Sequence, residues 1–287
     1  MGSILVAAIV SGSIYALVSL GFALAFRISS VFNLAHGILL VTAGYLNYWL
    51  AVQHGLSPWI SVPTSLALVG ALGLTIEAVL IPAAKTAGLK PVDLLLLSWL
   101  MLLIVQDVLA IAFESQSIYV GASQVREGWA VFGGRVTPLQ ALIVATSILV
   151  GAALFLIIRR SATGQEVLAV GDDPRLAMIC GLNVKKIIGL NAAAAALLTA
   201  GAGILMSYQE RLDPTLGFRF SVIAIVSTLI GFPLGPAGAV VGAYVLALFE
   251  TLVLYVVDPG LRDAAVYAGL FLVLVWTYRR SLVPPEG

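Results

Sequence analysis

The sequence predicts an all-α integral membrane protein, a bundle of about eight transmembrane helices with one short, broken or re-entrant element. Hydrophobic residues make up 61% of the 287 residues and charged residues only 10%, which is far from the composition of soluble globular domains. A membrane-spanning helix needs about 20 consecutive, mostly apolar residues, and the chain contains many such runs. We expect residues 1–287 to form a single transmembrane domain.

The predicted spans follow one another with short connections. Full spans are expected in a first run at residues 4–26, a second that ends near Val52, and further runs at 60–83, 93–113, 138–158, 187–208 and 237–257, with a last span that ends at Arg279 and Arg280. The run at 187–208 is rich in alanine and glycine, and small residues let helix backbones approach closely. We therefore expect that helix at the centre of the bundle.

The apolar segment 220–230 is too short to cross the hydrocarbon unaided. Because lipid cannot satisfy free backbone groups, we expect this segment to be half of a broken or re-entrant element buried in protein. If it counts as a crossing and the N-terminus lies outside, ten of the fifteen Lys and Arg residues fall in cytoplasmic segments. That orientation agrees with the positive-inside rule, and the opposite orientation inverts the bias.

A polar insertion at residues 114–137 is expected outside the membrane. Apolar residues alternate with others around residues 118–120 and 129–132, a pattern that is typical of short strands. The insertion is therefore predicted to form a small strand pair or an interfacial flap.

A second polar insertion, residues 159–186, carries five basic residues and is expected in the cytoplasm. Within it, Asp172 is predicted to cap a short helix that begins with Asp173 and Pro174, runs through Arg175 and stops at Gly181. A capped helix between two spans would suit contact with a cytoplasmic partner. An ordinary cytoplasmic loop is the alternative.

Breaks at residues 29–37 and 231–238 interrupt the two halves of the chain at comparable places, which indicates a transport path. Asn33 and His36 lie in the first break, and both side chains can bridge the free backbone groups of an interrupted helix. We expect them against the path or in its wall, facing a partner subunit or the second break. The alternatives are a cytoplasmic surface turn near Arg27 for the first break and a surface loop for the second.

Three carboxylates, Glu77, Asp107 and Glu250, lie inside predicted spans, where they should face protein or water rather than lipid. None has a Lys or Arg at helical spacing in its own span. Their partners are expected to be backbone groups, polar side chains such as Gln106, or a bound proton. Glu250 close to the outer interface and simply hydrated is the alternative for that residue.

Enzyme chemistry and nucleic-acid binding are not predicted. The two histidines, His36 and His54, form no metal-ligand pattern with the single cysteine, Cys180, or with carboxylates. The sequence has no phosphate-binding GxxxxGK[ST] loop, so the chain does not hydrolyse ATP in that manner by itself. His36 is expected to be a packing histidine at a helix break, with a proton relay as the alternative.

Short motifs follow one another through nearly the whole chain. They read GSIYAL at residues 12–17, FNLAHG at 32–37, IE at 76–77, PAAK at 82–85, TG to DP at 163–174, GLN at 181–183, and AG to Glu250 at 237–250. In this order they resemble the GxIYAL, NxAHG-like, IER, RPLR, TxxG…NP…GIN and PGA…G…E segments of branched-chain amino acid ABC transporter permeases of the LivH type. Gln106 resembles a glutamine in one span of that family.

The chain also departs from the family pattern. Ala78 stands in place of the arginine of IER, residues 83–84 weaken RPLR, and Gln165 and Leu168 replace basic residues of the loop. Residues 230–235 differ from the usual GGxGS-like run. These departures leave the solute open, since the family also serves amides, urea and aromatic or other carboxylates.

The resemblance implies a non-catalytic permease subunit of an ABC importer in the bacterial inner membrane, surrounded by lipid. A second homologous permease subunit would complete the path, a periplasmic binding protein would deliver the solute, and two cytoplasmic ATPases would bind ATP and Mg²⁺. This chain itself would hold no cofactor. The residues implied for coupling to an ATPase are Gly164, Asp172, Asp173, Pro174, Arg175, Gly181 and Asn183, and the candidates for the path are Asn33, His36, Glu77, Gln106 and Glu250.

A stand-alone, ion-coupled secondary transporter or channel, driven through Glu77, Asp107 or Glu250, is the competing interpretation. An intramembrane enzyme is a further alternative. Transport by the purified single chain would favour the ion-coupled class.

Overall fold

The computed structural model describes residues 2–115, 117–123, 128–131, 134–231 and 235–256, with single positions at 264, 267–269, 271 and 275. The α-helices in this part of the chain are α1 (Gly2–Ser29), α2 (His36–Tyr48), α3 (Pro58–Thr75), α4 (Ile81–Thr86), α5 (Pro91–Ala112), α6 (Pro138–Arg160), α7 (Ala162–Asp172), α8 (Pro174–Ile179), α9 (Val184–Gln209), α10 (Leu216–Ile230) and α11 (Gly235–Val256). A π-helical segment, Trp49–Gln53, continues α2, and another, Ile76–Leu80, joins α3 to α4.

Six helices in the described part of the chain are long and apolar enough to cross a membrane: Gly2–Ser29, Pro58–Thr86, Pro91–Ala112, Pro138–Arg160, Val184–Gln209 and Gly235–Tyr255. The expected count of about eight is not confirmed. The predicted second span is the 13-residue α2 with its π-helical continuation. The predicted last span falls almost wholly outside the described residues.

Proline defines where several of these helices begin. Pro58, Pro91 and Pro138 each stand at the first helical position, after a residue in extended conformation. Proline suits that position because it lacks the N–H that would have no partner there, and it disfavours helical geometry in the residue before it. At α6 the side chain of Thr137 accepts a hydrogen bond from the Gln140 N–H at 3.3 Å, and the Gln140 side chain accepts one from the Thr137 N–H at 3.0 Å.

The helix α9 lies at the centre of the bundle, as its small residues predict, and packs against α1, α2 and α3. Ala195, Ala196 and Ala200 are completely buried. Gly203 lies so close to the backbone of Leu40 in α2 that a side chain at this position would clash with it. The small residues thus allow the close backbone approach that a membrane bundle uses in place of a hydrophobic driving force.

The short helix α10 is buried, as expected for the segment 220–230, although it begins four residues earlier, at Leu216. It packs against α1, α2 and α11. It pairs tightly with α11, because Gly231 lies against Gly238, and Gly242 lies against the carbonyl of Ser227. Residues 232–234 of the second predicted break lie outside the described residues.

The polar insertion 114–137 contains a small strand pair, as expected. Strand β1 (Trp129–Val131) pairs with β2 (Gly134–Val136) in antiparallel register, with Ala130 opposite Arg135. Ile118 instead forms an isolated bridge with Leu212, with N–H to carbonyl distances of 2.8 Å in both directions. Closing a short loop costs less conformational entropy than closing a long one. The pairing of two strands separated by two residues is therefore favoured over pairing with the more distant segment near Ile118.

Candidate functional site

The helices α7 and α8 connect α6 to α9 and form the middle of the predicted cytoplasmic insertion. Ser161 caps α7, and its hydroxyl accepts a hydrogen bond from the Gly164 N–H at 3.0 Å. Gly164 is buried against the last turn of α6, where a side chain would clash with the backbone of Ile157 and Ile158. The structure therefore places Gly164 inside the fold, where its lack of a side chain lets α7 pack on α6.

The cap of α8 lies one residue later than predicted. Asp173 is the N-cap, and its Oδ1 accepts hydrogen bonds from the Arg175 N–H at 2.8 Å and the Leu176 N–H at 3.1 Å. Pro174 disfavours helical geometry in the residue before it, and Asp173 has the extended conformation that a cap requires. Asp172 is the last residue of α7, and its carboxylate instead accepts a hydrogen bond from Arg27 at 2.7 Å.

The helix α8 ends as predicted. Gly181 has a φ of +86°, in the left-handed region that glycine adopts without strain. Its N–H donates to the Met178 carbonyl at 3.0 Å, and the Leu182 N–H donates to the Ala177 carbonyl at 3.1 Å, the two hydrogen bonds of a Schellman motif. Asn183 then caps α9 by accepting a hydrogen bond from the Lys186 N–H at 3.1 Å.

One side of α8 is apolar and exposed. Ala177 is buried in a small cluster with Val167, Val170 and Ile187, which holds α8 against α7 and α9. The neighbouring side chains point away from that cluster, with Leu176 58% exposed, Met178 63% and Ile179 82%. Large apolar side chains grouped on a polar loop are typical of a surface that contacts another protein or a membrane.

Most of the first predicted break, from Val31 to Gly37, is buried, and it is hydrogen-bonded to neighbouring helices. The Asn33 side-chain amide donates to Glu77 Oε1 at 2.6 Å, and its oxygen accepts from the Ala35 N–H at 3.0 Å. Ser98 of α5 accepts from the Leu34 N–H at 3.0 Å. The break therefore finds partners for its free backbone groups inside the bundle, and Glu77 has the polar side-chain partner that was expected.

His36 begins α2 and is also buried. Its Nε2 is hydrogen-bonded to Thr199 Oγ1 of α9, and its ring meets Phe22 edge to face at a centroid distance of 5.9 Å. Beside it, the Gly37 N–H donates to Ser221 Oγ at 3.0 Å. This arrangement favours the interpretation of His36 as a packing histidine that joins α1, α2 and α9.

Glu250 forms a buried ion pair, which contradicts the expectation about its partners. Its Oε1 accepts from Arg219 at 2.5 Å, and its Oε2 accepts from the Tyr15 hydroxyl at 2.6 Å. Glu250 is only 2% exposed, so the alternative of a hydrated carboxylate at the outer interface is wrong. The expectation covered only cations at helical spacing in the span of Glu250 itself, whereas Arg219 lies on α10.

The register of α10 and α11 could have revealed this pair. Gly231 meets Gly238, and four residues away on each helix Ser227 meets Gly242. Residues four apart lie on one helix face. Continuing in steps of four from Ser227 back along α10 reaches Arg219, and from Gly242 forward along α11 reaches Glu250, so these two residues lie opposite each other. The small residues around the break were therefore a signal for the partner of Glu250.

The remaining intramembrane polar residues lie on α5. Gln106 is half-buried and lines a cleft of about 410 Å³ with Trp99, Thr215 and Arg219. Asp107 lies on the exposed side of α5. The structure thus forms two separate polar clusters, Asn33 with Glu77 and the Gln106 cleft with Arg219 and Glu250. In the described part of the chain, no group of three His, Cys, Asp or Glu residues could hold a metal ion.

Comparisons with known proteins identify a family and several similar permeases. The family described as branched-chain amino acid transport system / permease component matches residues 4–275. The high-affinity branched-chain amino acid transport system permease protein LivH of Escherichia coli is 25% identical over 290 residues, which cover 96% of this chain and 91% of that protein. The fructose import permease protein FrcC of Rhizobium meliloti is 28% identical over 243 residues, 80% of this chain and 63% of that protein.

A solved structure of PsaBC from Streptococcus pneumoniae in complex with Fab has a similar fold. Its TM-score is 0.51 at 13% sequence identity, and the match covers 95% of this chain and 90% of that chain.

Proposed function

The chain belongs to the family of branched-chain amino acid transport system permease components, and from that premise we propose how its geometry moves a small solute across the membrane. It is a multi-pass membrane protein and a permease subunit of an ABC importer. We propose that it acts as one non-catalytic transmembrane domain in the bacterial inner membrane. A second homologous permease subunit, two ATPases and a periplasmic binding protein would complete the importer.

The exposed apolar side of α8 carries the proposal for ATPase coupling. Leu176, Met178 and Ile179 form the surface that a groove of one ATPase covers, and Arg175 and Lys185 lie exposed beside it. Asp173 and Gly181 define the two ends of α8, so the helix presents this surface in one orientation. The cap and the Schellman motif therefore serve coupling by fixing the shape of the docking element.

An ion pair next to α8 connects this helix to the membrane bundle. Asp172 immediately precedes the cap of α8 and forms an ion pair with Arg27 at the end of α1. The chain then enters the break that contains Asn33 and His36, which contact α9 and the π-helical segment next to α3. A shift of the docked ATPase would thus reach the break through the end of α1.

The solute path is proposed to follow the α5 side of the bundle. The cleft of about 410 Å³ near Gln106 opens between α5 and the start of α10, and Arg219 lies in its wall. Asn33, His36 and Glu77 belong to the hydrogen-bonded first break. That break contacts α5 through the Leu34 N–H and Ser98, and α10 through the Gly37 N–H and Ser221. A second permease subunit would close the cleft, and Asp107 on the exposed side of α5 would then face that subunit or the water of the path.

The proposed solute is a branched-chain amino acid or a related small amino acid, amide, urea or carboxylate. The relatives include permeases named for branched-chain amino acids and for fructose, so the family fold accommodates more than one solute chemistry. A cleft with apolar walls, an amide and a guanidinium suits a small molecule with one apolar and one polar end.

Co-purification and reconstitution test this function. We expect the chain to purify with a second permease subunit and ATPases, and to take up solute in vesicles only when that complex, binding protein and ATP are present. The substitution Ile179→Asp should abolish solute-stimulated ATP hydrolysis, whereas Cys180→Ser, at the next exposed position, should not. Uptake by the purified single chain under an ion gradient would refute the proposal and support a stand-alone transporter.

A further inference from the structure

A long groove on the outside of the bundle shares no lining residue with the cleft near Gln106, and of the proposed coupling route it includes only Arg27. It lies between α1, α6 and α11 and has a volume of about 500 Å³. Ser147 of α6 holds one part of that helix to α1 by donating to the Ser13 carbonyl at 3.0 Å. Beyond this contact α6 stands away from α1, since a Cβ atom added at Gly151 would have only Leu20 within 4 Å, at 3.8 Å.

The walls of the groove are apolar, whereas one end is cationic. Leu20, Ala152, Phe155 and Val240 are among the residues that line its length. Arg27 and Arg159 lie at the end where α1 and α6 reach the polar insertion, and the Arg159 guanidinium stands 4.5 Å from the centre of the Phe155 ring. Among the described residues Arg159 forms no ion pair, whereas Arg27 is paired with Asp172.

A second cleft continues the groove at this cationic end. The two share Arg27, Gly235 and Pro236 in their walls. Thr228 also lines the second cleft, and it is only 7% exposed. Within the described part of the chain, neither the Thr228 hydroxyl nor the Arg27 Nε has a hydrogen-bond partner. Buried polar groups normally have partners, so the cleft offers hydrogen-bonding capacity that a polar ligand would use.

We propose that this groove binds one anionic phospholipid. An acyl chain lies between α1, α6 and α11, and the phosphate lies at the Arg27–Arg159 end, with Thr228 available to the headgroup. Basic pockets between transmembrane helices at the cytoplasmic side are suited to anionic headgroups, and an apolar slot in the hydrocarbon is suited to an acyl chain. The proposal rests on the membrane placement of the bundle and does not require the ATPases or the second permease subunit.

Native mass spectrometry of the purified full chain tests the site with phosphatidylglycerol and phosphatidylcholine of identical acyl chains. We expect the wild-type chain to retain phosphatidylglycerol preferentially. The substitution Arg159→Gln should lower that retention about fivefold, the factor that corresponds to about 1 kcal/mol per basic residue at a membrane surface. The matched control Arg160→Gln removes the same charge one residue away, outside the groove lining, and should change retention little.

A second variant tests the acyl-chain part of the groove. Gly151→Leu fills open space in the groove, and it should lower the retention of both lipids while the melting temperature stays close to that of the wild type. Equal retention of the two lipids by the wild type, or equal losses for Arg159→Gln and Arg160→Gln, would overturn the proposal. So would a disulfide from Ile148→Cys, in a Cys180→Ser background, to a cysteine in the second permease subunit, because protein would then occupy the groove.

Failure of this lipid site would leave the transport function untouched. Solute uptake by the assembled complex is measured separately, and a complex that transports solute without retaining phosphatidylglycerol contradicts only the lipid proposal.

Discussion

The buried ion pair between Arg219 and Glu250 leads to a quantitative prediction. Replacing Glu250 by alanine leaves the Arg219 guanidinium buried without its carboxylate, and it removes the acceptor of the Tyr15 hydroxyl. Removing one partner of a buried ion pair typically destabilises a protein by about 3–5 kcal/mol. Glu250→Gln retains an oxygen that can accept from Tyr15, so we expect it to assemble and to lose less stability than Glu250→Ala.

The double substitution Arg219→Met with Glu250→Met separates the ion pair from the packing of the site. It removes both charges and keeps apolar side chains of similar length, and such replacements of buried ion pairs are often close to neutral. We therefore expect its stability to lie nearer to the wild type than that of either single methionine variant.

The melting temperature of purified protein in detergent, at one fixed heating rate, measures these differences. On the scale of soluble domains of comparable size, about 2–4 °C per kcal/mol, the single charge removals should lower it by roughly 6–20 °C. Asp107→Ala is the control, because it removes an exposed carboxylate of α5 and should shift the melting temperature little. A double-mutant cycle with no coupling between positions 219 and 250 would refute the reasoning.

Three other perturbations test the remaining elements. Gly181→Val places a β-branched residue at a φ of +86°, which costs about 1–3 kcal/mol of backbone strain. Solute-stimulated ATP hydrolysis should fall while the subunit still reaches the membrane, and unchanged hydrolysis would contradict the role of α8. Glu77→Leu leaves the Asn33 amide without the acceptor Glu77 Oε1, at a cost of about 1–3 kcal/mol, and should lower solute uptake. Glu77→Gln keeps an acceptor and should resemble the wild type. Identical uptake by the two variants would argue against a role for this hydrogen bond. Cysteines introduced at Asn33 and His36, in a Cys180→Ser background, should react slowly without nucleotide and at a different rate in ATP-trapped complexes; full labelling in both states would mean a surface turn.

Local sequence signals predicted much of the helical framework correctly. Gly181 ended α8 where its left-handed conformation was expected, and the alanine- and glycine-rich run became the central helix α9. The cap of α8 was wrong by one residue, although the sequence contained the correct signal. The residue before Pro174 is held extended, so Asp173 rather than Asp172 had to be the cap.

Pairings between distant segments were predicted less well. The strand pair expected in the insertion 114–137 is present, but the bridge between Ile118 and Leu212 was not predicted. The helix α7 was not recognised within the polar insertion, because Val167 and Val170 become a buried face only when α8 and α9 pack on them. Such faces depend on partners that a local pattern does not identify.

In the candidate site, too, local sequence signals selected some residues correctly and missed a partner that lies on another helix. Asn33 and His36 were selected because polar residues at a helix break need partners, and Glu77 because a carboxylate inside a span should face protein or water. All three are buried and hydrogen-bonded. Arg219 was not among the candidate site residues. It lies in the first turn of α10, where the sequence alone shows a polar loop about to become apolar.

By itself, the sequence determined that this protein is a helical membrane protein, since apolar length, prolines and glycines act within one helix or one turn. Its ordered motifs added the resemblance to ABC permeases. Only the tertiary structure decided which polar groups meet inside the bundle. Glu250 and Arg219 are 31 residues apart, and they pair because the close contact of Gly231 with Gly238 sets the register of two antiparallel helices. A contact of that kind depends on the relative position of two helices, which the propensities of the residues within either helix do not specify.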